Sequence, residues 1–128
     1  MAESIRRILL AEDDRFLRKA AETALKRQGF EVLPAVDGEE ALQVARAQSP
    51  DVILLDLIMP KLQGFEVLRA LKADAATAPI PVIILSNLGQ DSDVKQAMEA
   101  GAAGYFVKAN LSLQDLVKKV GEVAGGRA

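Results

Sequence analysis

A chain of 128 residues, half of them hydrophobic and 27% charged, fits one globular domain with its own core and leaves no room for a second. Its formal net charge of −2 gives no support to a nucleic-acid partner, which normally needs a basic patch. It has no Cys and no His, which excludes disulfides, thiolate and imidazole metal sites, thiol nucleophiles and any phosphohistidine of its own.

In chain order, MAESIRRILLAEDD opens with only a four-residue apolar run after its arginines, too short for a signal peptide. No later stretch reaches the ~18 apolar residues of a membrane span, so a cytoplasmic protein without membrane insertion is expected. The first strand is predicted over residues 8–11. A helix follows in which Phe16, Leu17, Ala20, Ala21, Ala24 and Leu25 keep a 3.6-residue period, with Asp14 as N-cap and Gly29 as the closing cap. Residues 30–36 form the second strand. The second helix runs from about Glu39 to Ala47 and stops before Ser49-Pro50.

The third strand, 52–55, precedes a helix carrying Phe65, Leu68 and Leu71. Residues 73–81, ADAATAPIP, are a loop. The fourth strand, 82–85, leads to a looser helix with Val94, Ala97 and Met98 before Gly101. The fifth strand, 104–107, precedes a helix with Leu113, Leu116, Val117, Val120 and Val123, capped by Ser112. Most of the strand runs are apolar throughout, as in parallel strands covered on both faces. Five β-α units predict a three-layer α/β sandwich with right-handed crossovers. Ligands of such sheets bind beyond the carboxyl ends of the strands.

Those ends carry the chemistry. VILLDLIMP, residues 52–60, sets Asp56 at the end of the most apolar segment, where an unpaired ionised carboxylate costs several kcal/mol. Glu12 and Asp13 follow the first strand, Ser86-Asn87 the fourth and Lys108 the fifth. Each alone has an ordinary reading as a turn residue, a cap or a solvated charge. Together they place a carboxylate cluster, one hydroxyl and one ammonium at one sheet edge. Without His or Cys, the natural counter-ion is a hard one, and Mg²⁺ suits a site of one or two carboxylates and several waters.

On these residues the chain resembles the receiver domain of bacterial two-component response regulators over nearly its whole length. The resemblance implies a flavodoxin-like strand order 2-1-3-4-5 and one domain, 1–128, acting as a stand-alone phosphorelay module with no output domain. It implies Asp56 as phosphoacceptor, Glu12 and Asp13 as the acid pair, Ser86 as the switch hydroxyl, Lys108 as the site lysine and Tyr105 as the aromatic switch. Met59, Pro60 and Gly64, in DLIMPKLQG, match the family's turn after the acceptor.

Mg²⁺ would be held by Asp13, Asp56 and the Ile58 carbonyl, with Glu12 acting through a water, and Lys108 would pair with Asp56 at rest. The implied partners are a sensor histidine kinase or a histidine phosphotransfer protein, and a downstream protein target. The latter would meet the face of the fourth helix, fifth strand and fifth helix, where a homodimer is also expected. The chain would not be an enzyme beyond Mg²⁺-dependent self-phosphorylation and slow autodephosphorylation. It departs from the family pattern at Ala109, where Pro is frequent, and at Asn87, where a small residue is usual. The competing readings are a receiver-like interaction module with a vestigial site and a phosphohydrolase using Asp56. Ile58 argues against the second, because it stands where some such enzymes carry a second acid.

Overall fold

The computed structural model describes residues 6–58 and 63–125. Strands and helices alternate as β1 (Arg7–Ala11), α1 (Arg15–Arg27), β2 (Glu31–Ala35), α2 (Gly38–Gln48), β3 (Val52–Asp56), α3 (Gly64–Ala73), β4 (Val82–Ser86), α4 (Asp91–Glu99), β5 (Gly104–Val107) and α5 (Leu113–Gly125). A 3-10 turn over Lys108–Asn110 joins β5 to α5. All pairings are parallel and the sheet order is β2-β1-β3-β4-β5, the order the resemblance implies.

Position in the sheet explains the strand sequences. β3 and β4 are buried at every residue, because helices cover both of their faces. β2 is an edge strand with mixed burial, and Pro34 is accommodated there because an edge needs no ladder N–H on its free side. Alternate residues feed two cores. Leu9, Ile53, Leu55 and Ile84 pack with Ala41 and Ala45 of α2, Leu68 and Leu71 of α3 and Ala97 of α4. Ile8, Leu10, Leu54, Ile83 and Leu85 pack with Ala21 and Leu25 of α1 and Leu116 and Val120 of α5. Each fully buried Leu or Ile contributes about 1.5–3 kcal/mol, so the sheet is a rigid platform for its loops.

The caps follow the sequence. Asp14 Oδ1 accepts from the Phe16 and Leu17 amides at 2.9 and 3.2 Å, and Gly29 takes a positive φ of 92° just past α1. The Asp115 amide donates to Ser112 Oγ at 3.3 Å at the start of α5. The predicted stripe of α1 is only partly right: Phe16 is 87% exposed and Ala20 is also exposed. At 3.6 residues per turn, Phe16 lies about 140° around the helix from buried Ala21, so it faces away from the sheet. On α4 only Ala97 is buried, and Met98 is 45% exposed. Both β3 and β4 extend one residue past their apolar runs, which makes Asp56 and Ser86 the last strand residues.

Candidate functional site

The carboxyl end of the sheet brings the expected residues together. Glu12 follows β1 directly, and it is completely buried although it is an acid. Its amide donates to the Ala35 carbonyl at 3.0 Å, and its own carbonyl accepts from Arg18 Nη1 at 2.8 Å. Oε2 accepts from the Asp14 amide at 3.0 Å and from Lys108 Nζ at 2.9 Å. Oε1, also buried, has no hydrogen-bond partner among the described residues.

Asp56 is 2% exposed, and both of its carboxylate oxygens are held. Oδ2 accepts from Lys108 Nζ at 2.9 Å and Oδ1 from the Ile58 amide at 3.1 Å. Gly64 allows this geometry: its amide donates to the Leu57 carbonyl at 2.8 Å. A Cβ on Gly64 would stand 2.5 Å from the Asp56 carbonyl oxygen and nearer still to Leu57 Cα, so only glycine lets α3 begin so close to the acceptor strand. Met59 and Pro60 of the same turn lie outside the described residues. Asp13 is exposed, yet one carboxylate oxygen each from Glu12, Asp13 and Asp56 lie within 4.8 Å of one another.

Lys108 opens the 3-10 turn, and its side chain, 14% exposed, bridges Glu12 and Asp56. Among the described residues no peptide bond is cis, so the Lys108-Ala109 turn is built from trans peptides. Ser86 is fully buried, and its Oγ accepts from the Leu88 amide at 3.0 Å. The Tyr105 hydroxyl donates to the Leu88 carbonyl, so the half-buried ring is already tied to the loop that Ser86 begins. Asn87 is exposed between them.

Charge is unbalanced here, since one ammonium faces three carboxyl groups. Burial pushes the Glu12 carboxyl up to about 7, and the Asp56 charge adds to this against the opposing pull of Lys108 and the Asp14 amide. Burial also works against the Lys108 ammonium, but the Glu12 and Asp56 carboxylates together outweigh it and raise its pKa. Burial raises the Tyr105 phenol too. An all-oxygen set, a surplus of negative charge and an orphaned buried Oε1 fit a hard divalent cation such as Mg²⁺.

Sequence reasoning located the site residues but missed three connections. It paired Lys108 with Asp56 and not also with Glu12, and it did not see the Asp14 amide on Glu12 or the Arg18 side chain on the Glu12 carbonyl. Only the last had a sequence signal, an arginine one turn inside the helix that follows the acid pair. A cavity of about 510 Å³ between α1 and α5, lined by Ala24, Arg27, Leu113 and Val117 among others, includes none of the site residues.

The family model described as response regulator receiver domain matches residues 8–121. Transcriptional regulatory protein AfsQ1 of Streptomyces coelicolor is 43% identical over 101 residues, 79% of this chain and 44% of that protein. Protein PilH of Pseudomonas aeruginosa is 35% identical over 120 residues, 94% of this chain and 98% of PilH. Seven of the curated relatives that the chain matches are much longer, and it spans 15% to 44% of their length. Among solved structures, the receiver domain of sensor histidine kinase PA1611 from Pseudomonas aeruginosa aligns with a TM-score of 0.86 at 27% identity, covering 95% of this chain and 99% of that one. That crystal structure has a magnesium ion coordinated in its active-site cleft. Among the described residues no helix is long and apolar enough to cross a membrane.

Proposed function

Because the chain belongs to the response regulator receiver domain family, which serves two-component signalling and is not a classical enzyme family, we propose that Asp56 is its phosphoacceptor. The donor is a phosphohistidine on a sensor kinase or phosphotransfer protein. An Asp56 carboxylate oxygen attacks phosphorus, the P–O bond forms, the P–N bond breaks, and the electron pair returns to the donor imidazole. The observation that carries this reading is the Asp56 carboxylate itself: almost fully buried at a strand end, with each oxygen oriented by a separate donor. An oriented nucleophile needs little reorganisation to attack, and phosphoryl transfer depends chiefly on positioning and charge neutralisation.

Asp13, Asp56 and the Ile58 carbonyl would hold Mg²⁺, with Glu12 Oε1 reached through a water, and the bound ion would neutralise charge on the moving group. Lys108 releases Asp56 Oδ2 and pairs with a phosphoryl oxygen. Ser86 donates its hydroxyl proton to the phosphoryl group. Since Leu88 bonds both Ser86 Oγ and the Tyr105 hydroxyl, movement of Ser86 passes directly to Tyr105 on β5 and to the start of α4. The α4–β5–α5 face then changes its affinity for a downstream protein, and this face is also where a homodimer would form.

We further propose that the chain acts as a single domain in the cytoplasm, a reading supported by its coverage of PilH almost end to end. Its only self-catalysed steps are Mg²⁺-dependent phosphorylation from a small acyl phosphate and slow autodephosphorylation. The test is to incubate the chain with Mg²⁺ and acetyl phosphate, reduce with borohydride and map the peptides. An acyl phosphate at Asp56 is converted to homoserine at that position. Its absence, or its appearance at another acid, contradicts the proposal.

A further inference from the structure

We propose that Arg18 is a positioning residue for the metal-binding acids, an inference that rests on the reading of Glu12, Asp13 and Asp56 given above. Arg18 sits one turn into α1, half-buried, and its amide is fixed on the Asp14 carbonyl at 2.9 Å. From there Nη1 reaches back six residues to the Glu12 carbonyl at 2.8 Å. That carbonyl belongs to the peptide unit joining Glu12 to Asp13. Holding it fixes the plane of the peptide and, with it, the direction in which Asp13 leaves the backbone.

The two acids differ in how they are held. Glu12 is anchored through its amide, its carbonyl and Oε2. Asp13 is exposed, and its carboxylate makes no hydrogen bond among the described residues. The Arg18 bond is therefore the side-chain restraint on the peptide that presents Asp13 to the cluster. Without it, cation binding must itself order that peptide, and ordering lowers affinity.

Arg18 also carries a positive charge near the cluster, which by Coulomb repulsion alone opposes a cation. The two effects have opposite signs, so they separate in one experiment. If positioning dominates, removing Arg18 weakens Mg²⁺ binding; if charge dominates, removing it tightens binding.

The test is calorimetric titration of Mg²⁺ into the parent chain, Arg18→Met and Arg18→Lys, with folding checked by circular dichroism and amide exchange recorded without metal. The expected result is a Kd for Arg18→Met raised five- to ten-fold. Arg18→Lys, which keeps one donor, should fall between it and the parent, and the Asp13 amide should exchange faster in Arg18→Met. An unchanged Kd with only a lower Tm would make Arg18 a structural staple and overturn the inference, as would a tighter Kd. If Arg18→Met does not fold, Arg18→Gln, with a shorter and uncharged amide, takes its place with the same expectation. A parent chain that binds no Mg²⁺ at millimolar concentration would instead contradict the reading of the site on which the inference rests.

Discussion

At the amino end of the sheet, Arg7 and Asp51 exchange hydrogen bonds across the start of β1 and β3. The Arg7 amide donates to Asp51 Oδ2 and the Asp51 amide donates to the Arg7 carbonyl, both at 2.8 Å. The Arg7 guanidinium finishes on Gln48, with Nη1 on Oε1 at 3.0 Å and Nη2 on the carbonyl. At the carboxyl end, buried Glu12 and Asp56 share the Lys108 ammonium, exposed Asp13 lies within 4.8 Å of them, and Glu12 Oε1 is left without a partner among the described residues. The first cluster is half in water and each of its named donors meets an acceptor, so it stabilises by about a kcal/mol. The second surrounds buried Glu12 and Asp56 with a surplus of negative charge, so it costs stability until a further cation enters. Burial combined with imbalance, and not charge density, distinguishes a site from a staple in this fold.

The largest effect on that contrast is expected from Lys108→Met. It removes the one ammonium between two buried carboxylates, and leaving buried charge unpaired costs about 3 kcal/mol. Urea unfolding at pH 8 should show this loss, and the loss should shrink toward pH 5 as the Glu12 carboxyl, raised to about 7 by burial, takes up a proton. A variant as stable as the parent at pH 8 would break the idea that Lys108 balances the cluster.

Glu12→Gln should act in the opposite direction. Burial holds the Glu12 carboxyl at about 7, above its ordinary 4.5, so folding favours the protonated acid. Without divalent cation the parent therefore loses stability as pH rises from 4.5 to 7, and it recovers none above. Glutamine does not ionise. The metal-free variant should melt several degrees above the parent at pH 8, and the difference should close below pH 4.5. Adding Mg²⁺ should raise the parent more than the variant. A parent whose stability increases between pH 4.5 and 7 without metal would contradict the burial argument.

The smallest effect belongs to the amino end. Asp51→Ala should cost about 1 kcal/mol in urea unfolding, and it should leave the yield of phosphorylated chain unchanged. A drop in phosphorylation would mean that the two ends of the sheet are coupled, which the rigid platform between them does not predict.

The same contrast explains what was legible in the sequence. The alternation of strands and helices and the acids at strand ends follow from local signals, apolar runs, caps and turn residues, whereas the sheet order came only with the family resemblance. Asp56 stood out because it interrupts an apolar run. Glu12 did not, because its burial depends on Lys108, 96 residues away, and on the Ala35 carbonyl of a neighbouring strand. Phe16 was misplaced because an apolar residue at roughly helical spacing looks like core until the helix is oriented on the sheet. Met98 was misplaced on α4 for the same reason. The bond from Tyr105 to Leu88 joins strand β5 to the loop after β4, a contact that no periodicity encodes.

The central claim is that Asp56, itself buried, accepts a phosphoryl group in this unbalanced cluster. It is tested most directly by the intact mass of the parent chain and of Asp56→Asn after incubation with Mg²⁺ and acetyl phosphate. The account predicts a gain of one phosphoryl group in the parent and none in the variant. Equal gains in both, or no gain in the parent with Mg²⁺ present, would contradict it.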